Sequence, residues 1–473
     1  MLREKRKWRS HKRESTDAAH GGGIARSSVE VSVMEIERRG CIVRLSSGGS
    51  TGNGRNFLVK AKPFSISKRE VWEAFKRVKS SRGAAGVDGQ SIEEFESDIE
   101  NNLYKLWNRM SSGSYFPSPV RRVEIPKDNG AKRPLGIPTV ADRIAQMVVK
   151  QRLEPEMEKH FHPDSYGYRP GKSALKAVGV ARERCWQYGW VLDMDIKGFF
   201  DNIDHGLLMR AVKKHTDCKW IKLYIERWLK APVRMPDGTL SDPEKGTPQG
   251  GVISPLLANL FLHYAFDMWM DRSYPYIPFE RYADDVICHC KSEGQAKWLL
   301  GSIIKRLSEC KLKLNLEKTR IVYCRDVNRK RDYPSVQFDF LGYSFQPRIV
   351  RSHNGNIFVG FTPAISKKAA KVMRDEIRRW KLHLRSDMSL EEISRLYNPV
   401  IRGWVNYYGR YYRSKLYKAL YPLNLIMIKW AMRKYKKLKS RRLRAVRWFL
   451  RIQKKSPNLF AHWQLTGKPM AGQ

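Results

Sequence analysis

The hydrophobic pattern changes character at a few places along the chain. Residues 1–62 show little apolar periodicity and hold "GGG" and "SSGGSTGNG" behind a basic start. They read as a largely disordered extension with one possible strand pair, "SVEVSVMEIE" and "CIVRL". From "SISKREVWEAF" onward the pattern is globular. Ser67 or Ser65 can cap a helix that carries Val71, Trp72 and Phe75 on one face. "RRVEIPKDNGAKRPLGIPT" predicts a hairpin turning at "KDNG", and "VADRIAQMVVKQRLEPEMEKHF" a long helix. "YGYRPGKSALKAVGVARERC" is a loop entering a helix, and "WVLDMDIKGFFDNID" a strand leaving into a turn. "GTPQGGVISPLLANLFLHYAFDMWM" predicts a loop and one long apolar helix. A core strand, "FERYADDVICHC", follows, then the helix "KWLLGSIIKRLSECKLKLN" and the strand "FDFLGYSF". Strands and helices are mixed rather than alternating, so the class is α+β.

Beyond about residue 363 three helices follow, the middle one opened by a capping-box pair, Ser389 with Glu392. The tail "SRRLRAVRWFLRIQKK" is strongly basic. This gives four segments: an extension (1–62), an α+β body (63–347), a helical domain (348–437) and a basic C-terminal segment (438–473).

Charge narrows the class of partner. Ninety Lys and Arg oppose 47 Asp and Glu, a formal net charge of +43. Phosphate neutralisation with counterion release rewards such an excess, which points to nucleic acid. A ribosomal-type or membrane-surface protein is the alternative, but no clear amphipathic anchor stands out. No apolar run is long enough to span a bilayer, and no secretory signal opens the chain. Seven dispersed cysteines suit reduced thiols in an intracellular, cytoplasmic setting.

Two segments put aspartates within or at the end of apolar strands, "VLDMDIKGFF" and "RYADDVICHC". If these strands pair, Asp195 and Asp284 can face each other at their ends. Side chains alternate along a strand, so Asp193 and Asp195 share a face while Asp284 and Asp285 do not. A tight turn at 284–285 would relax that rule. Three unpaired carboxylates raise one another's pKa, and magnesium, a hard cation often shared with substrate phosphates, resolves the conflict. Two such ions about 4 Å apart serve phosphoryl transfer. A hairpin tip beside an unrelated Asp is the other reading of these two segments.

The order "DMDIKGFFDNID", "GTPQGGVISPLLAN", "RYADD" resembles the reverse transcriptases encoded by bacterial group II introns. "KDNGAKRPLGIPT", "YGYRPGKSALKAV", "LKLNLEKTRIV" and "FDFLGYSF" resemble further blocks of that family, and "NPVIRGWVNYYGRYY" its maturase region. The resemblance covers about residues 65–465. It implies a right-hand polymerase fold of fingers, palm and thumb, an RNA-directed DNA polymerase, and a maturase that assists splicing and mobility of its intron. It makes Asp195, Asp284 and Asp285 the metal-binding catalytic triad for two Mg²⁺ ions, with Mn²⁺ as a possible substitute; Asp193 and Asp201 become structural.

Phe200 would then close off the sugar 2′ position, its alternative being a core aromatic. Gln249 would touch the incoming nucleotide, with Gly250 and Gly251 permitting close backbone approach. Lys127 and Arg133 would grip the triphosphate. Lys318 would protonate pyrophosphate or contact phosphate, and Arg169 would hold template or nucleotide. Each of these four charges also reads as a solvated surface group. The implied partners are group II intron RNA, template–primer, deoxynucleoside triphosphates and target DNA, the last placing the protein at the bacterial nucleoid. A splicing cofactor with an unused polymerase site, and an RNA-templated RNA polymerase, remain open.

"CHC" (288–290) invites a zinc reading. No second close Cys or His pair accompanies it, and alternation turns His289 away from the cysteines, so no structural zinc is expected. Many relatives end in a nuclease of the His-Asn-His type, and no such domain is expected within the 473 residues. The run 433–455, with Trp448 and Phe449 interleaved, is a candidate RNA or DNA contact.

Overall fold

The computed structural model describes residues 62–126, 132–351 and 354–466. The proposed strand pair near the N-terminus and the candidate Lys127 lie outside the described residues. In chain order the strands are β1 (Val120–Pro126), β2 (Lys132–Ile137), β3 (Trp190–Asp195), β4 (Val233–Arg234), β5 (Leu240–Ser241), β6 (Phe279–Tyr282), β7 (Asp285–Cys290), β8 (Arg320–Tyr323), β9 (Phe338–Phe340), β10 (Tyr343–Arg351) and β11 (Ile357–Ile365). The chain divides into two compact units. One comprises the described residues up to Leu153 with Cys218–Pro243 and Pro248–Ile253; the other comprises Glu154–Asp217, Glu244–Thr247 and Ser254 onward.

In the first unit, Ser67 and Glu70 close a capping box on helix Lys68–Ser81. Two backbone donors at the helix start are thereby satisfied. That helix buries Val71, Ala74, Phe75 and Val78, and the Phe75 and Phe95 rings stack at 6.0 Å. The expected hairpin forms: β1 and β2 pair antiparallel from Arg121 opposite Ile137 to Pro126 opposite Lys132. The sheet order is β2-β1-β4-β5.

The second unit carries an antiparallel sheet in the order β6-β7-β3-β8. Val191, Ile287 and Val322 pack with Ala177, Val178 and Ala181 of helix Ala174–Gln187 in one buried cluster. Two predicted elements differ from expectation. "FDFLGYSF" is not one strand but β9 and β10, folded back at Leu341 (φ 52°) and Gly342 (φ 78°). The long apolar helix is broken in register: Ser254–Leu262 passes through a π-helical turn, His263–Asp267, into Met268–Ser273. A π turn frees carbonyls from the ladder, and Arg306 takes up two of them, donating to Ala265 O at 3.1 Å and Tyr264 O at 3.0 Å.

The three C-terminal helices form at Lys367–Arg379, Leu390–Tyr408 and Arg413–Lys434, with the Ser389–Glu392 capping box in place. Their core continues past residue 438: Leu438, Ala445, Phe449, Phe460 and Trp463 share it with Ile393, Leu420 and Trp430. Helix Arg442–Lys455 buries Ala445 and Phe449. Its Trp448 lies 5.3 Å from the Tyr435 ring. These aromatics therefore pack the fold rather than offering free stacking faces, while Arg442, Arg444, Arg447 and Arg451 remain exposed. No helix among the described residues is long and apolar enough to cross a membrane.

Candidate active site

β3 and β7 are paired so that Asp195 stands directly opposite Asp285. On the other edge of β7, Asp285 is opposite Tyr282 of β6. Ala283 and Asp284 are thus the two residues of a tight hairpin turn; it lies one residue earlier than the expected 284–285, so that Asp285 starts β7 and it, rather than Asp284, faces Asp195. Ala283 adopts φ 56°, a left-handed conformation that costs a non-glycine residue about 1–2 kcal/mol. The surroundings enforce it. Arg281, fully buried, donates to Ala283 O at 3.1 Å and to Asn259 Oδ1 at 2.9 Å, and forks onto both oxygens of Asp267 at 2.7 and 2.6 Å. Asn259 in turn donates to Gly167 O at 2.6 Å. A Cβ at Gly167 would lie 2.4 Å from Ala283 N, so only glycine lets this backbone support the turn. Asp267 occupies the last position of the π turn, which gives the break in that helix a purpose.

The carboxylates perturb one another. Burial, then the neighbouring Asp284 and Asp195, push Asp285 up to about 6, against a smaller lowering by Lys318. Asp285 keeps an open side to solvent, but the protein beneath it is dense enough for burial to dominate. Asp193 is pushed up to about 7 by burial and by Asp285, with Arg320 opposing; Arg320 faces it across β8. Asp193 therefore belongs to the electrostatic cluster.

Lys318 donates to Asp195 Oδ2 at 3.0 Å. It is delivered by a turn stitched to the end of β3: Asn315 N donates to Asp195 O at 2.8 Å and Lys197 N to Lys313 O at 2.9 Å. Among the described residues no three His, Cys, Asp or Glu side chains are gathered as a set that could hold a metal ion, Asp195, Asp284 and Asp285 included. The residue types nevertheless fit a hard divalent cation: three carboxylates, of which Asp285 and Asp195 are in register, with Lys318 on Asp195.

The remaining candidates separate. Phe200 is 8% exposed, in the short helix Phe199–Asn202, with its carbonyl accepting from Thr247 N at 2.8 Å. In the first unit, Arg133 Nε donates to Gln249 Oε1 at 2.8 Å and Gly136 N to Gln249 O at 2.7 Å. Gly250 (φ 123°) lets that loop close on β2: a Cβ there would lie 2.4 Å from Gly136 O. Its close approach is to protein backbone. Arg169 is corrected. Its side chain is 6% exposed, paired with Glu158 at 3.0 Å and donating to the carbonyls of His162 and Ser165 at 2.6 and 2.7 Å. With its donors so engaged it braces a loop and offers no open fork for template or nucleotide.

In "CHC", His289 is buried with its ring nitrogen 2.6 Å from Glu280, and Cys288 and Cys290 are buried free thiols. The Arg281–Asp267–Asn259 network escaped sequence reasoning. Its signals were an arginine inside the strand Phe279–Tyr282 and an aspartate, Asp267, inside the apolar helical run before it.

Residues 125–345 match the family "Reverse transcriptase (RNA-dependent DNA polymerase)", and residues 370–449 match "Group II intron, maturase-specific domain". Protein YkfC of Escherichia coli (strain K12) is 32% identical over 295 residues, covering 54% of this chain and 77% of that protein. Group II intron-encoded protein LtrA of Lactococcus lactis subsp. cremoris is 38% identical over 194 residues, 40% of this chain and 32% of LtrA.

The chain belongs to the group II intron reverse transcriptase/maturase family.

A further relative is the putative COX1/OXI3 intron 1 protein of Saccharomyces cerevisiae, 30% identical over 198 residues, 42% of this chain and 24% of that protein. The chain thus spans a third or less of the length of LtrA and of the yeast protein. Family membership makes it an RNA-dependent DNA polymerase, and the sheet β6-β7-β3-β8 of this α+β chain lies within the matched polymerase segment.

Proposed function

We propose that this reverse transcriptase/maturase copies its intron RNA into DNA at the paired ends of β3 and β7, and that its C-terminal helices bind the same RNA to assist splicing and mobility. The observation that carries the polymerase half is the register that sets Asp195 opposite Asp285, with Asp284 in the adjoining turn. Asp195, Asp284 and Asp285 would hold Mg²⁺, or Mn²⁺ in its place, which supplies activation of the primer 3′-hydroxyl and stabilises departing pyrophosphate. The chain's own residues do the rest. Lys318, 3.0 Å from Asp195, would give a proton or positive charge to the leaving group. Arg133 and Gln249 present a joined guanidinium and amide to a nucleotide. The bulk of Phe200 disfavours a 2′-hydroxyl.

The maturase half is supported by the matched 370–449 segment and by the exposed arginines of helix Arg442–Lys455. Target DNA and the nucleoid are the partners this reading adds for intron insertion. Extension of a DNA primer on an RNA template, with Mg²⁺ and deoxynucleotides, tests the reading. The native chain should incorporate, and Phe200→Ala should accept ribonucleotides more readily. No incorporation by the native chain would leave only the splicing-cofactor role. That role is tested separately by splicing of the cognate intron at low Mg²⁺.

A further inference from the structure

Where β10 and β11 meet the helices Lys367–Arg379 and Arg413–Lys434, the second unit has a pocket of about 230 Å³. Five of its wall residues are cationic: Arg348, Lys367, Arg374, Lys415 and Lys418. None of the walls is acidic, and Lys367, Arg374, Lys415 and Lys418 pair with no carboxylate among the described residues. The one acid on the adjoining sheet face, Asp339, stands opposite Ser344 on β9 but does not line the pocket.

Two buried groups show that the pocket is built rather than incidental. Arg348 is 8% exposed, fixed by donation to Ser344 O at 3.1 Å and stacked 5.3 Å from the Tyr412 ring centroid. Ser344 is 4% exposed and its hydroxyl has no hydrogen-bond partner among the described residues. Strand alternation sets Ser344, Gln346 and Arg348 on one face of β10, and all three line the pocket. A buried hydroxyl without a partner is costly unless a ligand completes it.

The volume lies below the usual range for a whole small-molecule ligand. The pocket therefore suits a single anionic group carried on a larger partner. We propose that it holds a phosphodiester group of a bound RNA strand, with Ser344 donating a hydrogen bond to a phosphate oxygen inside the cationic ring. The inference rests on the reading of the chain as an RNA-binding protein.

The test is anisotropy of a fluorescein-labelled oligouridylate with the full chain across a salt series. Ser344→Ala should weaken binding about three- to tenfold while leaving the melting temperature unchanged or higher, because the hydroxyl has no partner among the described residues. Lys415→Gln/Lys418→Gln should weaken binding and make the slope of log K against log salt shallower by about 1.4. Lys297→Gln, whose lysine pairs with Glu293 elsewhere, is the control and should do neither. Ser344→Ala and the double variant binding as tightly as the control would overturn the pocket while leaving RNA binding intact. Failure of the native chain to bind the oligonucleotide would overturn the RNA-binding reading itself. Inorganic phosphate that stabilises the native chain but not Ser344→Ala, with oligonucleotide affinity equal in both, would assign the pocket to free phosphate and overturn the RNA assignment.

Discussion

The end of the β3–β7 pair and the C-terminal helices handle charge in opposite ways. At the strand ends, Asp193, Asp195, Asp284 and Asp285 crowd together, and burial pushes two of them up to about 7 and about 6. Set against them are Lys318 on Asp195 and Arg320 opposite Asp193. In the helices the excess is cationic: exposed arginines line Arg442–Lys455 around an apolar core, and the pocket beside β10 has five cations and no acid. The proposed reading balances each with a partner of opposite sign, a divalent cation in one place and phosphate in the other. The acidic end should therefore govern chemistry and the basic helices binding.

The sharpest way to break that division is Asp285→Asn. Metal stabilisation of a phosphoryl-transfer transition state is worth several kcal/mol, so primer extension should fall roughly a thousandfold, while oligonucleotide affinity measured in parallel stays near the native value. Next in size is the support beneath the turn. Arg281→Met leaves Asp267 buried without its partner and should cost about 3–5 kcal/mol of stability by denaturant titration. A surface ion pair such as Lys230–Glu226 should cost less than about 1 kcal/mol.

Charge removal across Arg442, Arg444, Arg447 and Arg451 should act on the other side of the comparison. RNA binding should weaken, the salt slope should become shallower by up to about 2.8 for a single strand, and extension at saturating template–primer should change little.

The smallest effect concerns Asp193. Its carboxyl is pushed up to about 7 in the fold, against about 4 in an unfolded chain. Its contribution to stability is thus fully present below pH 4 and lost as pH rises through about 7. Asp193→Asn, melted in the presence of a chelator, should raise the melting temperature at pH 8 by a few degrees. The gain should disappear toward pH 4.

Much of this arrangement was legible in the sequence because it is local. The capping boxes at Ser67 and Ser389, the β1–β2 hairpin and the turn forced by two adjacent aspartates each follow from a few neighbouring residues. Elements that depend on distant partners were hidden. The π turn at His263–Asp267 lies within a mostly apolar run, and its reason, the Asp267–Arg281 pair, becomes visible only when the chain is folded. "FDFLGYSF" alternates like one strand, and Gly342 in a left-handed conformation divides it. Arg169 looked like a free phosphate contact because nothing in "YGYRPGK" betrays Glu158 waiting eleven positions upstream. Trp448 and Phe449 read as part of a nucleic-acid contact for the same reason, since their core partners Tyr435 and Trp463 lie on other elements.

The most direct measurement uses one preparation of Asp284→Ala and two assays: RNA-templated primer extension, and splicing of the cognate intron at low Mg²⁺. The expected result is loss of extension with splicing assistance retained, because the turn serves chemistry and the basic helices serve binding. Extension equal to that of the native chain would contradict the assignment of Asp284, in the β6–β7 turn, to the catalytic centre.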